Sequence, residues 1–356
     1  ATYHGLVDSM VGTRELGMIT RNGSFGAGDG AAGESPAGEG ARGSDGNVGA
    51  AGAASGRERG GIPARSPVLD RTTVFGRATG FDGATVLPAV MGILNVTPDS
   101  FSDGGRFNSI ASALSRAEQI AASGAAILDL GGESTRPGSD PVSIEEELAR
   151  VLPILDAFRG EFPIPISIDT RRAAVALAAA ERGATILNDT AALRDDPEIA
   201  SVARERGLTV VLMHRRGVPR TMQSGRVAPY ADVVCEVRAF FEERVEAAID
   251  AGIAREKLIL DPGIGFGKRP EDNDRLMASL SELRLPGIPL LVGGSRKAFL
   301  GRFDARAASS RLPGSLAVVA SCAAQRVEWV RVHDVAETVA FLRTLRALEW
   351  PKDMSC

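Results

Sequence analysis

Cysteine is scarce in this chain. Cys235, Cys322 and Cys356 are the only three among 356 residues, they stand far apart, and no CxxC pair occurs. A disulfide framework needs paired cysteines and a cysteine-built zinc site needs close ones, so both are excluded and a reducing compartment is expected. Charge of one sign is also lacking. The 41 Lys and Arg against 45 Asp and Glu leave −4, too little to draw nucleic acid or another polyanion. No apolar run approaches a membrane span, and the first residues lack the charged-then-apolar layout of a secretory signal. A cytoplasmic protein with no nucleic-acid or membrane partner is the expectation. Two catalytic devices are missing as well. No Ser–His–Asp or Cys–His arrangement is evident, and Gly263-Ile264-Gly265-Phe266-Gly267 is not followed by Lys-Ser/Thr at P-loop spacing.

Large apolar side chains are almost absent between Gly23 and Gly61, where Gly, Ala, Ser, Arg and acidic residues dominate. Such a stretch cannot bury enough surface to offset its chain entropy, so residues 1–85 read as a disordered extension. Its glycines follow no Gly-X-Y period, which excludes collagen. Residues 86–348 read as one folded domain and 349–356 as a short tail. With 44% apolar residues overall, that domain has material for a sizeable core.

From Pro88 onward short β-branched runs alternate with longer amphipathic ones. Strands are expected over 89–96, 125–130, 164–169, 184–188, 208–213, 257–260, 289–292 and 328–332. Helices are expected over 109–123, 143–158, 171–182, 196–206, 231–251, 271–283, 312–325 and 334–348. Ser143 and Glu146 have capping-box spacing, and Asp334 precedes the last helical run. Strands that are apolar throughout belong to a parallel sheet covered on both faces. Eight strands and eight helices in alternation predict a (β/α)₈ TIM barrel of α/β class. A doubly wound sheet uses the same alternation, and strand count alone does not exclude it.

Barrel chemistry sits at the C-terminal ends of the strands and in the loops that follow. Polar residues stand at all eight of these places, including Asn95, Asp129, Asp169, Asn188-Asp189, His214, Asp261, Ser295-Arg296-Lys297 and Arg331-Val332-His333. Helix capping alone does not account for all eight. Arg331 and His333 are two apart, so strand alternation points both the same way. Phosphate sites near strands seven and eight recur in barrels, which makes this pair a candidate anion site.

The segments GILNVTPDSFSDGG, DLGGESTRPG, SIDT, ILND, LDPGIGFGK, SRK and RVHDV occur in the order found in dihydropteroate synthases. The chain resembles that family from roughly Val90 to Leu345. The resemblance implies condensation of 6-hydroxymethyl-7,8-dihydropterin diphosphate with p-aminobenzoate, with Mg²⁺ as cofactor and a homodimer as assembly.

The resemblance also implies roles, and each suits its side chain. Asp169, Asn188 and Asp261 match the pterin-edge residues, where a carboxylate accepts two neighbouring N–H groups together. Lys297 matches the lysine that donates to the pterin O4 and N5. Arg331, His333 and Thr135 match the diphosphate residues, Arg supplying a planar fork. Asn95 matches the Mg²⁺ contact, and magnesium uses few protein ligands. Phe101, Thr135, Pro137, Phe266 and Ser295 match the p-aminobenzoate site, with backbone N–H groups after Ser295 suited to a carboxylate. Lys297, Arg331, His333 and Arg136 are the candidates for catalysis. An arylamine is neutral at pH 7 and needs no strong base, so diphosphate departure carries the chemistry, SN1-like. A pterin-binding methyltransferase would use the same acids but not the TPDSFSDGG and ESTRPG loops or the anion site, and the retention of every expected polar residue argues against a non-catalytic pterin binder. His214 and Arg215-Arg216 receive no role. Gly294 departs from the family pattern, and a loss of packing there is expected.

Overall fold

The computed structural model describes residues 87–96, 106–134, 139–158, 162–217, 229–303 and 310–348. The segments expected as extension (1–85) and tail (349–356) lie outside them. So do the site candidates Phe101, Thr135, Arg136 and Pro137.

Strand β1 (Ala89–Asn95) shows how the apolar runs divide their faces. Val90 and Leu94 belong to the core between strands and helices, whereas Met91 joins a second core inside the ring of strands. The same alternation follows in β2 (Ile127–Gly131), β3 (Ile166–Asp169), β4 (Ile186–Asp189), β5 (Thr209–Met213), β6 (Leu258–Asp261), β7 (Leu291–Val292) and β8 (Trp329–Val332). Seven of the eight strands supply the inner cluster, through Met91, Ile127, Ile186, Val211, Ile259, Leu291 and Trp329. On β3 the corresponding residue is the buried Ser167, which pairs in register with Ile186.

All pairings are parallel, in the order β6-β5-β4-β3-β2-β1-β8-β7. A parallel bridge between Leu260 and Leu290 joins β6 to the run entering β7 and completes the ring. The doubly wound alternative is thereby excluded, because an open sheet has two unpaired edges.

Outside the ring lie α1 (Arg106–Ala122), α2 (Ile144–Ala157), α3 (Ala173–Ala180), α4 (Ile199–Glu205), α5 (Val233–Asp250), α6 (Pro270–Ala278), α7 (Leu312–Ala324) and α8 (Val335–Leu348). Each turns a 3.6-period stripe inward, as Val233, Val237, Phe241, Val245 and Ala248 do on α5. Burying one Leu- or Val-sized side chain in this layer contributes about 1.5–3 kcal/mol. At Gly92 a Cβ would come within 2.4 Å of Ile120 and 2.9 Å of Val335, so β1 needs a bare backbone where α1 and α8 meet it.

Local signals were partly redirected. The Ser143 hydroxyl accepts from the Glu146 N–H as expected, but the Glu146 carboxylate bonds Arg150 instead of completing the box. The Asp334 carboxylate is taken by Arg296, 2.9 Å away, rather than capping α8. The helix expected over 271–283 ends at Ala278. Ser279 leaves helical geometry (φ −126°, ψ 27°), and a 3₁₀ turn over Leu280–Leu283 buries the two leucines.

Candidate active site

At the C-terminal mouth of the ring the inward positions change from apolar to polar. On β2 the inward residues run Ile127, Asp129, Gly131, so Asp129 sits one layer above the hydrophobic plug and is fully buried. Arg331 of β8 reaches it through Nε at 2.6 Å and reaches Asp169 of β3 through Nη2 at 2.6 Å. The Asn188 amide of β4 donates to the same Asp129 oxygen at 3.1 Å. The sequence brought Asp169, Asn188 and Arg331 forward individually. Asp129, the carboxylate that joins Arg331 to Asn188, received no role, although its place in the period-two pattern aims it into the barrel.

Asp261 ends β6, and its Oδ1 accepts from the Gly263 N–H at 2.7 Å. Lys297 extends from the β7 loop so that its ammonium lies 3.9 Å from the Phe266 ring centroid, a cation–π contact. That ammonium also feels the fields of Arg331, Asp261 and Asp169. Four cation and anion candidates, Lys297, Arg331, Asp261 and Asp169, therefore share one electrostatic neighbourhood.

Burial sets the proton affinities here. It raises the Asp169 carboxyl to about 7 against the pull of Arg331, with Asp129 adding to the rise. It raises Asp261 to about 6, opposed by the Gly263 N–H and Lys297. It lowers Lys297 to about 8, and Arg331 pushes the same way. Such shifts accumulate where binding needs charge in a dry place.

His333 and Ser295 form a separate corner. Ser295 Oγ lies 3.2 Å from His333 Nδ1 and accepts from the His333 N–H at 3.3 Å. Burial, then Arg331 and Arg296, hold the imidazole down to about 3, so it is neutral at pH 7 with one N–H. Ser295 does not stand at an α-helix start. The next element is a short 3₁₀ turn over Ala298–Arg302, three residues on. Arg331 and His333 thus share the top of β8 but engage different partners.

Asn95 ends β1 beside β2. A Cβ on Gly131 would lie 3.4 Å from Asn95 Oδ1 and 3.5 Å from Asp169 Cβ, so both side chains border this position at ordinary contact distance. Among the described residues no three His, Cys, Asp or Glu gather as metal ligands. The stems of the loop holding Thr135–Pro137 are fixed from outside. Arg150 donates to the Gly132 carbonyl at 2.7 Å, and Arg171 and Arg172 pair with Glu133.

At Gly294 the expected loss of packing is not found. A Cβ there would come 2.6 Å from Val318 Cγ1, so α7 already fills that space. Among the described residues no helix is long and apolar enough to cross a membrane.

Comparison with known proteins agrees with this geometry. Residues 91–333 match the family described as pterin binding enzyme. The Escherichia coli dihydropteroate synthase is 49% identical over 261 residues, covering 73% of this chain and 91% of the relative. The Synechocystis enzyme of the same name is 46% identical over 260 residues, 73% and 89%. Among solved structures, the Yersinia pestis dihydropteroate synthase with a sulfonamide drug superposes with a TM-score of 0.69 at 44% identity, covering 76% of this chain and 98% of that one. The Xanthomonas albilineans enzyme with 4-aminobenzoic acid gives 0.69 at 42%, covering 74% and 94%. A barrel with a buried polar mouth, matched from residue 91 to 333 by the family and over 73% of the chain by relatives at this identity, belongs to the dihydropteroate synthase family of pterin-binding enzymes.

Proposed function

We propose that the barrel mouth condenses 6-hydroxymethyl-7,8-dihydropterin diphosphate with p-aminobenzoate, the reaction of its family, using the strand-end residues as follows. The pterin edge is held by Asp261, Asn188 and Asp169, with Lys297 donating to O4 and N5. The observation that carries this reading is the buried set Asp169, Asn188 and Asp261, with the half-buried Lys297 beside them and Arg331 among them, a donor and acceptor array suited to a flat polar heterocycle.

The CH₂–O bond breaks with its electron pair going to diphosphate, and the positive charge left behind spreads into the electron-rich dihydropterin ring. Carboxylates in a low-dielectric pocket stabilise that charge as it develops. The p-aminobenzoate nitrogen then forms the new C–N bond through its lone pair and gives up one proton to water or diphosphate. Arg331, His333 and Thr135 hold the leaving diphosphate, and Arg136 adds charge from its loop. Phe266, Phe101 and Pro137 flank the arylamine, with Thr135 and Ser295 toward its carboxylate. A sulfonamide that mimics p-aminobenzoate is expected to compete here.

Asn95 offers one neutral oxygen, which fits a Mg²⁺ that arrives on the diphosphate and keeps its waters better than a resident metal. When bound, it would share the charge on the leaving group. The same reading carries a homodimer and a cytoplasmic location. Diphosphate release measured with both substrates and with each omitted tests the proposal. Release must require both, and release without p-aminobenzoate at the same rate would make the chain a hydrolase.

A further inference from the structure

Lys268 is an ammonium-bearing side chain buried to 6% exposure that no substrate role uses. Its Nζ lies 2.9 Å from the Gly263 carbonyl, 3.3 Å from the Phe266 carbonyl, 3.3 Å from the His214 carbonyl and 2.9 Å from His214 Nδ1. An ammonium has three hydrogens, so these four acceptors fully occupy it. Burying such a group without partners is costly, and its position is fixed by them. Burial holds its pKa down to about 7.

The acceptors come from two loops. Gly263 and Phe266 belong to the β6–α6 loop, and His214 follows β5. Their backbones touch: Gly263 has φ +63°, and a Cβ on it would sit 1.9 Å from the His214 carbonyl oxygen. Only glycine fits there. His214 is itself seated edge-on against Phe240, with ring centroids 4.8 Å apart. Burial, then Lys268 and Arg194, lower its pKa to about 2, so the ring is neutral and Nδ1 is available to accept. The Phe266 N–H closes the turn onto the same Gly263 carbonyl at 3.0 Å.

We propose that Lys268 and His214 form a positioning pair that pins the β6–α6 loop and so sets the Phe266 ring against Lys297. Neither residue touches substrate. The proposal rests on the reading of Phe266 as a wall of the p-aminobenzoate site. Asp261 stands on β6, where its carbonyl accepts from the His214 N–H at 2.8 Å in continuation of the strand pairing. Loss of the pin is therefore felt by p-aminobenzoate more than by the pterin.

Three variants of the full chain test this, with Lys268→Met as a fourth if it folds. His214→Leu removes one acceptor. His214→Gln keeps an acceptor. Phe266→Leu checks the reading beneath. Amide hydrogen exchange over Asp261–Lys268 reports the pin without reference to catalysis. In His214→Leu, exchange at Phe266 and the KM for p-aminobenzoate are each expected to rise about tenfold, the weight of one hydrogen bond to a charged group. The KM for the pterin diphosphate should move less than about twofold, and His214→Gln should restore both readouts. Unchanged exchange overturns the pin. Faster exchange with an unchanged p-aminobenzoate KM, or an equal rise for both substrates, overturns its positioning role. An unchanged KM in Phe266→Leu instead overturns the assignment of Phe266, while the exchange arm still decides the pin.

Discussion

Arg331, on the last strand of the barrel, donates through Nη2 to Asp169, on the third, across 2.6 Å of the buried mouth. Its Nε is spent on Asp129 at 2.6 Å, so one guanidinium bridges β8, β2 and β3. Two carboxylates 0% and 7% exposed depend on it. Breaking a buried pair by removing one partner leaves uncompensated charge, and costs about 3–5 kcal/mol. Arg331→Met is expected to lower the urea midpoint by a corresponding amount. The loss should be larger at pH 8 than at pH 5, where protonation relieves the stranded Asp169 carboxylate. An unchanged midpoint at both pH values would remove the bridge from the stability of the fold.

The barrel itself was legible because its signals are local. Apolar runs separated by amphipathic ones give the element order, and the period of two assigns Ile127, Asp129 and Gly131 to the same inward face. The Arg331–Asp129 contact joins residues 202 apart in sequence. No local pattern encodes it, and so Asp129 received no role. The break of α6 at Ser279 escaped for another reason. Leu280 and Leu283 continue an apolar stripe, and no glycine or proline marks the departure. Lys268 stands among several strand-end charges in the sequence, and burial of a lysine is visible only when its acceptors are in place.

Gly294 and Val318 should prove coupled. A methyl group at Gly294 would meet Val318 Cγ1 at 2.6 Å, in a layer with no slack. Overpacking of this kind typically costs about 1–3 kcal/mol. Gly294→Ala should therefore destabilise alone and be at least half rescued by Val318→Ala, with denaturant midpoints of the four chains completing the cycle. Simple additivity would mean the two side chains do not compete for one space.

The N-terminal segment is expected to be dispensable for the barrel. Every strand and helix of the ring lies between Ala89 and Leu348. A chain beginning at Phe81 should keep its turnover and melt within about 4 °C of the full chain, which is about 1–2 kcal/mol for a domain of this size. A larger drop would assign residues 1–80 a structural part.

Asp261 should trade stability for affinity. Asp261→Asn keeps the shape but presents a donor to pterin N–H groups, and loses a hydrogen bond with charge on one side, worth about 1.5–3 kcal/mol. Calorimetry should show pterin affinity at least about tenfold weaker. The stability of the ligand-free protein should move the other way. The folded pKa of Asp261 is raised from 3.8 to about 6 because burial disfavours the carboxylate. A group raised on folding contributes stability that is full below its unfolded pKa and is lost as pH rises through its folded pKa. For Asp261 that window runs from about pH 4 to about pH 6. Asparagine never ionises and escapes the loss. The variant should therefore gain on the wild type across this window and hold its gain at pH 7, by an amount on the order of 1–2 kcal/mol. The nearby Lys297 and Lys268 reduce the gain, since each loses part of its compensating negative field. Denaturant midpoints of both chains at pH 4, 5, 6 and 7 measure the trend directly. A difference that stays flat across the window would show that Asp261 is ionised at no cost to the fold, and would separate its pterin role from any stored strain.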